Sequence, residues 1–276
     1  MISQEAKAAA FKALHGRPAA FIIPNPWDAG TARILAGMGF AALATTSAGL
    51  AFTLGKPDAE AELGRDEALA NARAIVAATD LPVSADLENG FADAPEGCAE
   101  TIRRAAQAGL VGGSIEDATG RVGEPIYPFD LAVERVAAAV AAARALPFPF
   151  MLTARAENLI HGRPDLRDTI RRLEAFAAGG ADVLYAPGLR TREEITAVVR
   201  AVAPKPVNVL MGLAGATFSV TELSALGVRR ISVGSALHRA AFGAFIRAAE
   251  EMKATGTFEF AGHAVPYAKL NAMMRG

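Results

Sequence analysis

Short apolar runs rich in β-branched residues alternate along the chain with longer alanine-rich segments, whose apolar positions recur every three to four residues. The runs predict strands at 20–24, 42–47, 82–88, 112–117, 150–157, 183–187, 207–211 and 230–234. Between them lie helical stretches such as 65–78, 95–108, 130–146, 165–178, 192–203 and 219–225. Several open on caps or first-turn acids, as in Asp93-Ala94-Pro95-Glu96 and Thr191-Arg192-Glu193-Glu194. Gly37 with Gly39, Gly109, Gly179 with Gly180, and Gly227 stand where a left-handed residue closes a helix before the next strand. Eight such units imply parallel strands with right-handed crossovers, and fit an α/β class (β/α)8 TIM barrel in one domain over 1–276. A dinucleotide-binding sheet would open on a glycine-rich turn, and Pro24-Asn25-Pro26-Trp27 is not one. The connections at 48–64, 118–129 and 158–164 are long whereas those from helix to strand are short, which places function at the C-terminal ends of the strands.

Composition narrows the classes. With 28 basic against 29 acidic residues the net charge is −1, which removes the electrostatic basis for nucleic-acid binding. Cys98 is the sole cysteine, so neither a disulfide framework nor a multi-cysteine zinc site is available; it is expected to pack within a helix. The segment from Met1 to Lys7 has no signal-peptide pattern, and apolar stretches are interrupted by charges such as Glu134, Arg135 and Arg144, so neither export nor a membrane span is expected. A cytoplasmic protein handling a small molecule is the expectation.

Polar residues at the ends of barrel strands carry the candidate chemistry. In 82–91, alternation sets Ser84, Asp86 and Glu88 on one side and Ala85 and Leu87 on the other, which turns the two carboxylates into the barrel mouth. The fourth strand adds Glu116 on the Ser114 side. Three converging acids need a counter-charge, and an oxygen-only set favours Mg²⁺ or Mn²⁺; pairing with arginines or capping of the next helix is the alternative. Arg155, facing inward with Thr153 and Glu157, suits a substrate carboxylate or else neutralises Glu116. Thr45-Thr46-Ser47-Ala48-Gly49 offers hydroxyls and amides to an oxyanion. Asp58 lies in a turn sequence, Asn208 needs a partner inside its strand, and Asp28 is placed to cap a helix. His15, His161, His238 and His263 show no ligand spacing and read as surface or capping residues, and none of the six lysines ends a strand, which disfavours a Schiff base.

Taken together, Asp86-Leu87-Glu88-Asn89-Gly90-Phe91, Ser114-Ile115-Glu116-Asp117, Thr153-Ala154-Arg155, Asn25-Pro26-Trp27-Asp28-Ala29, Thr45-Thr46-Ser47-Ala48-Gly49 and Gly55-Lys56-Pro57-Asp58 resemble the isocitrate lyase/phosphoenolpyruvate mutase superfamily over roughly residues 20 to 240. The resemblance implies Mg²⁺ or Mn²⁺ on Asp86 and Glu88, with Glu116 next to it and Asp58 completing the site. It further implies carboxylate binding by Thr46, Ser47 and Ala48, with Trp27 and Asn208 at the substrate and Arg155 on its oxygens. A gating loop at 118–126, including Thr119, Gly120 and Arg121, is implied too. So is a homotetramer exchanging its eighth helix, which would put about 240–276 in an interface. The lyase branch carries Lys-Lys-Cys-Gly-His in that loop and the phosphonate branches a lysine with a nearby asparagine; here the loop has neither. The expectation is therefore a metal-dependent lyase cleaving a C–C bond of a small 2-oxo or 2-hydroxy dicarboxylic acid, by decarboxylation or retro-aldol cleavage. A C–P mutase or hydrolase using Arg121 and a barrel that binds without turnover are the alternatives.

Overall fold

The computed structural model describes residues 2–213, 215 and 217–275. Eight parallel strands form one sheet: β1 (Phe21–Ile23), β2 (Leu43–Ala44), β3 (Val83–Asp86), β4 (Gly112–Glu116), β5 (Met151–Arg155), β6 (Val183–Tyr185), β7 (Val207–Leu210) and β8 (Arg230–Ser232). They run in the order β1-β8-β7-β6-β5-β4-β3-β2. The Ala44 amide donates to the Pro24 carbonyl at 3.1 Å across the remaining seam, so the ring is nearly closed, a (β/α)8 TIM barrel.

Helices alternate with the strands: α1 (Gln4–His15), α2 (Ala29–Gly37), α3 (Ser47–Thr53), α4 (Arg65–Ala77), α5 (Pro95–Gln107), α6 (Phe129–Arg144), α7 (Leu166–Ala178), α8 (Arg192–Val202), α9 (Val220–Ala225), α10 (Ala236–Thr255) and α11 (Tyr267–Arg275). Their inner faces and the outward strand residues make the main core, in which Ala85, Leu87, Ile115 and Ala154 meet Ile102, Val136 and Leu173. The period-two reading of β3 holds for Ala85 and Leu87, which lie in this core. α1 was not anticipated. Ser3 caps it, and Phe11 and Leu14 pack with Phe21, Val111 and Met151, closing the end of the barrel away from the strand C-termini. Burying each such side chain contributes roughly 1.5–3 kcal/mol.

One local difference follows from capping. The long loop expected at 48–64 begins as α3, because the Thr46 hydroxyl accepts from the Gly49 amide and ends β2 early. Asp28 caps α2 in a reciprocal box with Thr31, as expected. His15 and His238 correct the expectation of surface histidines. Both are buried, His15 between the rings of Phe11 and Phe21 and His238 among Trp27, Phe52 and Phe242. Cys98 is buried, as expected. Among the described residues no helix is long and apolar enough to cross a membrane.

Candidate active site

The ends of β2 to β5 bring the acids together. Asp86, last in β3, accepts from the Ser47 amide and hydroxyl through Oδ2, at 3.3 and 2.9 Å, and from Arg155 Nη1 through Oδ1 at 2.8 Å. Its own amide donates to Thr45 Oγ1 at 3.0 Å, which fixes β3 against β2. Arg155 ends β5 and also pairs with Glu116 Oε2 at 3.1 Å and Glu157 Oε1 at 2.8 Å, while its guanidinium lies 5.0 Å from the Tyr185 ring centroid. Of the two readings of this arginine, the pairing with Glu116 is the one the geometry shows. Arg155 neutralises Glu116, and it stands at the cavity.

Glu88 reaches the site by a different route from the one alternation implied. β3 stops at Asp86, and Glu88 turns in with φ +46°, a left-handed backbone that a non-glycine residue adopts at some strain. A cavity of about 90 Å³ is lined by Ser47, Asp58, Glu88, Glu116, Arg155 and Glu157, with Ala118 and Gly120 of the loop and His161 at its edge. An adjoining cavity of about 250 Å³ shares Ser47, Asp58 and Arg155 and runs into the barrel past Thr46, Ala48, Asp86 and Asn208.

Five carboxylates, Asp58, Asp86, Glu88, Glu116 and Glu157, therefore share one guanidinium at the mouth. The imbalance raises proton affinities. Burial, then the charges of Asp86 and Asp58, push Glu88 up to about 8. Burial followed by Asp86 raises Asp58, and burial also raises Glu116 well above the usual range despite Arg155. For Arg155, burial is outweighed by Glu116, Glu157 and Asp86, which hold it charged. The surplus negative charge and the oxygen-only donors suit a hard divalent cation. Among the described residues no three acidic, histidine or cysteine side chains form a ready cage. Mg²⁺ does not require such a cage, being commonly held by one or two carboxylates and completed by water and substrate oxygens. Asp86 and Glu88 would hold it, with Glu116 beside them.

Other expected residues fall differently. Trp27 is not among the residues lining either cavity; its ring packs edge-on to His238 at 5.0 Å. In the loop, the Thr119 hydroxyl donates to the Glu124 carbonyl, and Arg121 pairs with Asp93 at 2.9 Å instead of facing the small cavity. Asn208 donates to Ser232 Oγ and accepts from Arg230 Nε, both at 2.9 Å. Sequence reading set Glu157 on the inward side without giving it a role, and passed over Tyr185 and Arg230. The criterion that found Asn208, a polar residue inside a strand, would have found Arg230 as well.

Fold and geometry together define a class: an α/β barrel with an acid-and-arginine site at the C-terminal ends of its strands. Within it, the chain belongs to the phosphoenolpyruvate phosphomutase family, whose model matches residues 11–253, and so to the isocitrate lyase/phosphoenolpyruvate mutase superfamily. A Burkholderia cenocepacia crystal structure described only as a lyase/mutase is 63% identical with TM-score 0.95, covering 99% of this chain and 97% of that one. An oxaloacetate acetylhydrolase bound to oxalate is 26% identical with TM-score 0.87, covering 99% and 94%. Among curated relatives, oxaloacetate decarboxylase of Paraburkholderia xenovorans is 32% identical over 58% of this chain and 52% of its own. The 2,3-dimethylmalate lyase of Eubacterium barkeri is 29% identical over 75% and 72%.

Proposed function

We propose that the protein is a Mg²⁺- or Mn²⁺-dependent lyase that cleaves a C–C bond of a small 2-oxo or 2-hydroxy dicarboxylic acid through an enolate. The cluster of five carboxylates around Arg155, opening on a small cavity, carries the reading. The decarboxylase and lyase names among the relatives support it.

For a 2-oxo diacid the chemistry asks little of protein acids. The bond from C3 to the departing carboxylate breaks, its electron pair passes to the 2-oxo group as an enolate, CO₂ leaves, and C3 later takes a proton from water. Bound at Asp86 and Glu88, the divalent cation would supply charge stabilisation for the developing oxyanion. Thr46, Ser47 and Ala48 line the cavity wall, where their hydroxyl and amide groups would hold the substrate carboxylate once the Ser47 amide and hydroxyl leave Asp86. Arg155 adds a delocalised positive charge whose orientation is fixed by three carboxylates. Ala118 and Gly120 of the loop line the cavity, where a closing loop would limit water.

The test is an assay of oxaloacetate, 2,3-dimethylmalate and 2-methylisocitrate with Mg²⁺, subtracting metal-driven decay of oxaloacetate. Turnover of at least one diacid is expected, with loss of about a hundredfold or more in Asp86→Ala and on EDTA treatment. Activity that survives both changes removes the metal assignment. The family description favours C–P chemistry as a second reading, although Arg121, the loop cation it would use, is held by Asp93. Phosphonopyruvate followed by ³¹P NMR separates the two. Binding of pyruvate or oxalate with no product from any substrate would mark a ligand-binding barrel.

A further inference from the structure

Arg230 is a buried arginine that the mechanism above does not use. It opens β8 and is 6% exposed. Its Nε donates to Asn208 Oδ1, but Nη1 is buried without an acceptor, and among the described residues no carboxylate pairs with it. This differs sharply from Arg155, which engages three. A buried guanidinium without an anion is unfavourable, because desolvation of the charge is not offset by a partner. Burial lowers its proton affinity to about 10; Tyr185 opposes that fall and the nearby charge of Arg155 adds to it.

Strand register shows where this side chain stands. Glu116 pairs with Arg155, Arg155 with Tyr185, Tyr185 with Asn208, and Asn208 with Arg230, each on the next strand. A stripe of polar and charged residues thus runs around the wall from the acid cluster into the barrel. Arg155, Tyr185, Asn208, Arg230 and Ser232 all line the same cavity of about 250 Å³, which also includes Ser47 and Asp58. Barrel interiors are ordinarily filled by branched apolar side chains, so a polar hollow ending at an unpaired guanidinium needs a ligand to explain it.

We propose that Arg230, with Asn208 and Ser232, is an anion subsite that receives the second carboxylate of the substrate, making Arg230 the residue that selects diacids over monocarboxylic 2-oxo acids. The proposal rests on the dicarboxylic-acid reading above, in its retro-aldol form where the second carboxylate is retained, and adds the place of the distal group. The first carboxylate and the 2-oxygen lie at Ser47 and Arg155, and the far carboxylate enters the hollow. Nη1 then gains the acceptor it lacks.

Calorimetric titration in the presence of Mg²⁺ tests this without any turnover, using oxalate as a probe of the mouth and malate as a probe of both positions. Arg230→Met, close in volume and uncharged, is expected to bind oxalate as the wild type does and malate at least tenfold more weakly, with Arg230→Lys recovering part of the difference. Arg230→Gln serves the same comparison if the methionine variant does not fold. Malate affinity equal in wild type and variant, or absent from the wild type, overturns the subsite. Failure of oxalate to bind the wild type counts against the enolate reading instead, and the malate comparison still decides Arg230.

Discussion

His15 shows what a single buried titratable group does away from the cavity. Its Nδ1 lies 2.9 Å from the Phe11 carbonyl, which can only accept, so the proton sits on Nδ1; Nε2 is buried without a partner. Burial first, then the charge of Arg230, lowers its pKa from 6.5 to about 3. The folded state therefore binds fewer protons than the unfolded chain between pH 6.5 and 3. Its contribution is fully present above pH 6.5 and is lost as pH falls through that window. At about 1.4 kcal/mol per unit, acidification from pH 6.5 to 5 should remove about 2 kcal/mol. Urea unfolding of wild type and His15→Gln at both pH values checks this. The variant is expected to lose about that much less, and parallel losses would refute the assignment. Legibility at this scale depended on context. Asp86, Glu116 and Arg155 could be read because charge at the end of an apolar strand is anomalous, whereas the histidines could not, because burial is set by tertiary packing, as of His238 against Trp27 and Phe52, which are remote in sequence.

At the scale of elements, the strands were readable because burial on both faces leaves near-continuous apolar runs, and most barrel helices because their caps and apolar stripes coincide. The turns were not. Thr46 looked like the end of β2 and caps α3, and Glu88 looked like a continuation of β3 and is a left-handed residue beyond its end. In each case a side chain or backbone conformation overrode the local period. The loop at 118–126 is held at its base by a bridge between Ala118 and Ile126, with Gly120 at φ +73° and a Cβ there only 3.1 Å from the Ala61 side chain. Substituting Gly120 by alanine costs about 1–2 kcal/mol of left-handed strain in this loop position. That should lower kcat/KM roughly tenfold while leaving the thermal midpoint within a few degrees. The same variant should be cut faster by trypsin at Arg121, and protection by oxalate with Mg²⁺ should be weaker than in the wild type. Unchanged cleavage and activity would mean that the loop conformation shown here is not the working one.

For the whole molecule, the last long helix is the part that the barrel does not account for. α10 spans 20 residues, yet His238 is its only buried one, whereas the 13-residue α5 buries five against the barrel. Phe245 is 70% exposed and Ile246 51%, and Phe242 before them and Met252 and Phe258 after them are exposed as well. α11 returns to its own barrel, where Arg33 Nη1 donates to the Met274 carbonyl at 3.2 Å. A run of large apolar side chains along one helix is unfavourable in water and marks a protein interface. Here the expected occupant is a second copy of the chain, each barrel receiving the other's α10 in a symmetric exchange, as expected of a homotetramer in this superfamily. Light scattering after gel filtration should give about four times the 28.6 kDa chain mass. Phe245→Glu combined with Ile246→Glu places two charges in that interface, and should dissociate the assembly into smaller species. A wild type that elutes as a monomer would refute the exchange. Because the assembly covers apolar surface, the charged pair should also lower the thermal midpoint more than two substitutions on a free helix face would, by about 4 °C or more at a cost of about 2 kcal/mol.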